Sequence, residues 1–263
     1  MSTIPALRRL REIPPSLAAI GLLAPVSLLV LYLWSTTPSA AAHHGGPALA
    51  GAGTLARALI FLTAWLLMSA AMMLPSAMPL FASLDRIAQS HGRRHEIPIL
   101  AALAYLAVWG VVGVGAWMTS AAAETYLLPW ASARLVSWIA GACLALAGLY
   151  GLSPLASSCL RACRRPFGFL ARYWRGRSRA RLQAARIGAA YGASCVGCCV
   201  PMLGVMFVVG MANVAIVIAM GAVMAIMKTS SAGPRVAQLL SLALIVAGIA
   251  TGLGWLHVAP GHH

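Results

Sequence analysis

Three cysteines fall within five residues of one apolar stretch, Gly192-Ala193-Ser194-Cys195-Val196-Gly197-Cys198-Cys199-Val200-Pro201-Met202. On a helix, Cys195 and Cys199 are one turn apart, Cys198 lies beside them, Met202 is one turn beyond Cys198, and Met206 extends the row. Thiolates and thioethers are soft donors, and a d10 ion such as Cu(I) prefers them. Cysteine also packs as a small apolar residue, so the run points first to metal handling and second to packing. Gly192, Gly197, Gly204 and Gly210 let a neighbouring helix approach closely.

Two further sulfur groups accompany this run. Met68, Met72, Met73 and Met78 lie in Trp65-Leu66-Leu67-Met68-Ser69-Ala70-Ala71-Met72-Met73-Leu74-Pro75-Ser76-Ala77-Met78-Pro79, where Met68 and Met72 share a helical face. Pro75 and Pro79 free backbone carbonyls there, leaving a polar break at which Ser69 or Ser76 can assist. Cys159 and Cys163 are also one turn apart, among Arg161, Arg164 and Arg165. Nearby cations favour thiolate over thiol, which makes this pair a better nucleophile and a better soft-metal ligand. His43 and His44 form an imidazole pair suited to capturing copper outside the membrane, or to adventitious binding. His91 and His95 fall in a charged loop, where solvation is the plainer role.

These residues must be positioned by helices that cross a membrane. Of 263 residues, 61% are hydrophobic and 9% charged, with a mean hydropathy of +0.86, which is outside the range of a soluble domain. The formal charge of +15 comes from nineteen Lys and Arg against four acidic residues. In a bilayer such an excess marks cytoplasmic loops and anionic lipid headgroups, not nucleic acid. About seven apolar stretches are long enough to span, at approximately 16–34, 55–81, 98–123, 133–153, 188–211, 213–228 and 236–257. The sixth is short, and the second and third exceed the membrane thickness.

The basic residues fix an orientation. Arg8, Arg9, Arg11, Arg86, Arg93, Arg94, the nine arginines from Arg161 to Arg186, Lys228 and Arg235 fall on one side; Arg57 and Arg134 fall on the other. The amino terminus is therefore expected in the cytoplasm and the carboxyl terminus facing outward. Residues 1–263 read as a single all-α membrane domain. The segment 35–54 reads as an outer loop, with cleavage near Pro38-Ser39-Ala40-Ala41-Ala42 as a minor alternative to an intact first span. The stretch at about 154–187 reads as a short amphipathic segment on the inner leaflet. The cysteines of 195–199 then lie about 10 to 17 Å deep at about 1.5 Å per residue, and Met72 and Met73 reach a comparable depth.

The order and spacing of these motifs resemble the bacterial predicted metal-binding integral membrane proteins, a family that includes a membrane copper chaperone associated with a tyrosinase. The resemblance covers roughly 60–230. It is carried by Ala71-Met72-Met73-Leu74-Pro75 before Pro79, by Ser153-Pro154-Leu155 with Cys159-Leu160 and Cys163-Arg164 before Pro166, and by Cys195-Val196-Gly197-Cys198-Cys199 before Gly210-Met211 and Asn213. Two positions depart from the family pattern. Val200-Pro201 stands where an aromatic often follows the paired cysteines, and Met227-Lys228 stands where an acid often precedes the lysine. The resemblance implies copper handling through methionine and cysteine motifs in a bacterial inner membrane, with the carboxyl terminus in the periplasm.

The combined expectation is a non-enzymatic membrane protein that holds Cu(I), with zinc as the alternative ion, and passes it to a copper enzyme or across the membrane. Cys195, Cys198 and Cys199 are the leading ligands, and Met72 and Met73 support them. Met68 and Met202 extend the sulfur rows, and Cys159 and Cys163 form a transfer station on the inner side. Few carboxylates, no phosphate-binding glycine loop and no nucleophile triad argue against hard-cation, nucleotide-driven and hydrolytic chemistry. Two rivals stay open: a membrane thiol–disulfide oxidoreductase, and an accessory subunit of a larger membrane complex in which sulfur is packing.

Overall fold

The computed structural model describes residues 14–35, 53–89, 95–176, 179–209 and 214–255. His43, His44, His91, Gly210, Met211 and Asn213 lie outside the described residues. Nine α-helices follow in chain order and no strand occurs among the described residues: α1 (Pro15–Ser35), α2 (Thr54–Gln89), α3 (Glu96–Ala122), α4 (Ala133–Leu152), α5 (Pro154–Arg164), α6 (Phe167–Tyr173), α7 (Ala180–Val209), α8 (Val214–Thr229) and α9 (Gly233–Gly252). Six of these segments are long and apolar enough to cross a membrane, and α8 is a shorter apolar helix. The result is an all-α bundle of the kind a bilayer requires, because each helix satisfies its own backbone.

Proline sets the breaks that matter. Residue 153 precedes Pro154, whose ring disfavours the α conformation before it, and Ser153 is extended (φ −66°, ψ 153°). α4 therefore stops, and the Ser153 hydroxyl accepts from the Ala156 N–H at 3.1 Å to start α5. Pro75 and Pro79 lie inside α2, and Pro201 lies inside α7, and both helices continue through them. At 36 residues α2 is about 54 Å long, which exceeds a hydrocarbon core of about 30 Å.

α7 is the hub. It packs against α3, α4, α5 and α6, while α2 packs against α1, α3 and α8, and α4 pairs with α9. The small residues of α7 face different partners: Gly192 meets Tyr105 of α3, Gly197 meets Cys159 of α5, and Gly204 meets Ala147 of α4. The polar stretch after α4 forms an amphipathic helix, as its sequence reads. α5 buries Ala156, Leu160 and Cys163 and packs on α7, because its apolar face finds a helix to cover it.

Ion pairs tie the two ends of the bundle. Arg57 of α2 meets Glu124 beyond α3 at 3.5 Å, and Arg181 of α7 meets Glu96 of α3 at 2.9 Å. Both pairs are solvent-exposed and contribute about 0–1 kcal/mol each. Asp85 is buried instead, accepting from the Ser16 hydroxyl at 3.2 Å and from the Gln89 amide at 2.7 Å, which ties α1 to α2.

Candidate metal centre

Cys195, Cys198 and Cys199 sit midway along α7 and are buried, with all three sulfurs within 4.8 Å of one another. The Sγ atoms of Cys195 and Cys199 are 4.0 Å apart and those of Cys198 and Cys199 are 3.9 Å apart. An ion bonded to three sulfurs at about 2.3 Å in a plane needs sulfur separations of about 4.0 Å. The helix thus presents the triad at a spacing that one soft ion can bridge. The (i, i+3, i+4) pattern does this without help from any other element.

Neighbouring helices extend the cluster. Met73 of α2 places its Sδ 3.9 Å from Cys195 Sγ and 3.7 Å from Cys199 Sγ. Met224 of α8 places its Sδ 3.8 Å from Cys199 Sγ. Cys163 of α5 lies 3.8 Å from Cys198 Sγ. Six sulfurs from four helices therefore form a continuous buried chain. Its composition is thiol and thioether only, the donor set that favours Cu(I) among common ions.

Polar groups line one side of that chain. Lys228 at the end of α8 donates to Cys195 Sγ at 3.0 Å, to Ser76 Oγ at 3.1 Å and to Met73 Sδ at 3.7 Å. The Tyr105 hydroxyl of α3 is 3.1 Å from Cys195 Sγ. The Tyr191 hydroxyl donates to the Cys163 carbonyl at 3.2 Å, steadying α5 against α7. Ser76 donates to the Met73 carbonyl at 2.8 Å, so the hydroxyl after Pro75 is used as a link between the α2 backbone and Lys228. Ser69 Oγ, by contrast, is buried without a hydrogen-bond partner among the described residues.

The structure sorts the sulfur residues read from the sequence. Cys195, Cys198, Cys199, Met73 and Cys163 come together. Met72, adjacent to Met73, points to a different face of α2 and packs against Gly221 of α8. Met68 and Met202 are buried, but neither has a thiol within hydrogen-bonding distance among the described residues. Cys159 is half-buried against α7 at Gly197, where a Cβ would come within 2.6 Å of its sulfur. Glycine is what lets α5 sit this close, and so lets Cys163 reach Cys198.

The arginines around α5 act differently from the expectation that they favour thiolate. Arg164 donates to the carbonyls of Met227 and Ser230 at 2.7 and 2.6 Å, capping the C-terminus of α8. Burial pushes the Cys159 thiol above its usual range, with the adjacent Cys198 adding to the rise and a Ser158 hydrogen bond opposing it. The neighbouring thiols of Cys195 and Cys198, followed by burial, raise Cys163 as well. Arg164 therefore positions the lysine-bearing end of α8.

Met224 and Lys228 are site residues that spacing alone did not single out. Met224 is an ordinary apolar residue of a short helix until α8 docks on α2. For Lys228 a signal existed: it is the only lysine among nineteen basic residues, at the end of an apolar helix. The family model described as a copper chaperone (PpoB2) matches residues 62–251. That range contains every residue of the sulfur chain. Neither a curated protein nor a solved structure matches the chain.

Proposed function

Since the chain belongs to the copper chaperone family, we propose that it holds Cu(I) on the buried sulfurs of α7 and hands it to a copper enzyme. The observation that carries this reading is the unbroken sulfur chain Cys163–Cys198–Cys199–Cys195 with Met73 and Met224 in contact. Cys195, Cys198, Cys199 and Met73 hold the ion, and Met224 and Cys163 are the sulfurs to which it exchanges. Successive soft sites at these separations let an ion change partners without passing through water. Copper here is cargo, so its site needs an exit, and Cys163 on the short helix beside the arginine-rich loop supplies one.

The setting is a bacterial inner membrane, with the arginine-rich end of the bundle in the cytoplasm. Apolar surroundings keep water and oxygen away from the ion. Met68, Met72 and Met202 flank the site as packing, and Cys159 steadies α5. His43 and His44 collect copper on the periplasmic side. The chain acts as one membrane unit over residues 1–263, with lipid and the client enzyme as its partners.

Elemental analysis of the purified protein, kept reduced in detergent, tests the reading. The expected result is about one copper per chain with zinc well below it, as thioethers select copper over zinc. A metal-free chain that purifies with a stoichiometric membrane partner would instead support the accessory-subunit reading.

A further inference from the structure

We propose that Lys228 sets the charge of the ion that the sulfur site accepts, admitting soft monovalent ions and rejecting soft divalent ones. This deepens the copper-holding reading and rests on it.

Lys228 is 5% exposed, and its ammonium donates to Cys195 Sγ, Met73 Sδ and Ser76 Oγ at 3.0, 3.7 and 3.1 Å. Those three contacts use its three protons. A buried ammonium needs a negative partner, since an isolated one carries a severe desolvation cost. No carboxylate among the described residues supplies it. Asp85 is engaged by Ser16 and Gln89, Glu96 by Arg181, and Glu124 by Arg57. The counter-charge of Lys228 is therefore sulfur, and the nearest sulfur belongs to the proposed ion site.

This arrangement fixes one positive charge beside the ion before any ion arrives. For any given number of thiolates among Cys195, Cys198 and Cys199, a divalent ion meets twice the repulsion from the ammonium that a monovalent ion meets. One extra unit of ionic charge about 4 Å from the ammonium, at an effective dielectric of about 20, corresponds to roughly two to three orders of magnitude in affinity. Ligand softness alone does not produce that discrimination, because cadmium(II) is soft as well. Charge and softness are thus separable by choice of ion.

The test uses the full chain, purified reduced in detergent and loaded with Cu(I), with Ag(I) or Cd(II) as competitor and bound metal read by elemental analysis. Ag(I) is expected to displace Cu(I), and Cd(II) is expected to leave it bound at about a hundredfold excess. In Lys228→Gln, which keeps a hydrogen-bonding group without the charge, Cd(II) is expected to gain at least about tenfold relative to Ag(I). Lys228→Arg is expected to restore exclusion. Wild-type protein that takes Cd(II) as readily as Ag(I) overturns the proposal even if no variant folds. So does Lys228→Gln protein that loses both ions in equal measure, which is the mark of a packing role. Wild-type protein that binds neither Cu(I) nor Ag(I) removes the metal reading itself, a separate outcome.

Discussion

Replacing Cys198 and Cys199 together by serine is expected to remove copper from the purified protein. Cys199 is the junction of the sulfur chain, in contact with Cys195, Cys198, Met73 and Met224. Cys198 is the link to Cys163. Without both, Cys195 keeps Met73 at 3.9 Å and the neighbouring Cys163 thiol, and the three-sulfur cluster on α7 is gone. A serine hydroxyl is a hard donor and a poor substitute for Cu(I). The loss of affinity should exceed the roughly 10- to 100-fold that removing an outer-shell partner costs. Serine is close in size to cysteine, so the thermal stability of the metal-free protein should change little. Cys159→Ser is the control: its sulfur lies against Gly197 outside the chain of contacts, and copper should be retained. Wild-type copper content in the double variant would remove α7 from the site.

The second large effect is expected from a residue that touches no sulfur. Gly188 of α7 packs on the backbone of α3 so closely that a Cβ would collide with the Ala101 carbonyl. A carbonyl in a helix cannot rotate away, so Gly188→Ala must move one helix off the other. Overpacking of this kind costs about 1–3 kcal/mol. The same displacement pulls Tyr105 on α3 from Cys195 on α7, whose polar atoms are 3.1 Å apart. Thermal denaturation in detergent and copper content should therefore fall together. Gly115→Ala, on α3 where a Cβ meets nothing within 4 Å, should hold or gain stability by up to about 1 kcal/mol through helix propensity. Equal stability of the two variants would mean that α3 and α7 do not meet at Gly188.

How far the site was legible follows from what sets each residue's position. The cysteine triad depends on helical spacing within one element, so its geometry follows directly from positions 195, 198 and 199. Choosing Met73 over Met72 does not. Adjacent residues on a helix point about 100° apart, and which of them faces α7 is decided by how α2 docks. Cys163 and Cys159 share a face by spacing, yet only the closer end of α5 reaches Cys198. Lys228 stands out in sequence as the only lysine, yet its position reads as the flank of a span, and Arg164 reads as a cation near a thiol. Tertiary contact changes both roles: Arg164 caps α8, and α8 delivers Lys228 to Cys195.

The helices themselves were legible because apolar length is imposed by the bilayer and not by a partner. What hydropathy did not reveal is the use of the polar stretch after α4. Ser153-Pro154 breaks the chain, and the helix that follows finds an apolar groove on α7 that no local pattern announces. Pro201, a departure from the family motif beside the triad, is accommodated within α7 and packs near Gly151. The helix continues to Val209, so the thiols stay on one regular scaffold.

Copper X-ray absorption on the reduced, purified protein tests the central claim most directly, because it reads the atoms around the ion. The sulfur chain predicts a Cu(I) edge and a shell made only of sulfur at about 2.3 Å. A shell of nitrogen or oxygen, as imidazole or carboxylate ligands would give, would contradict it.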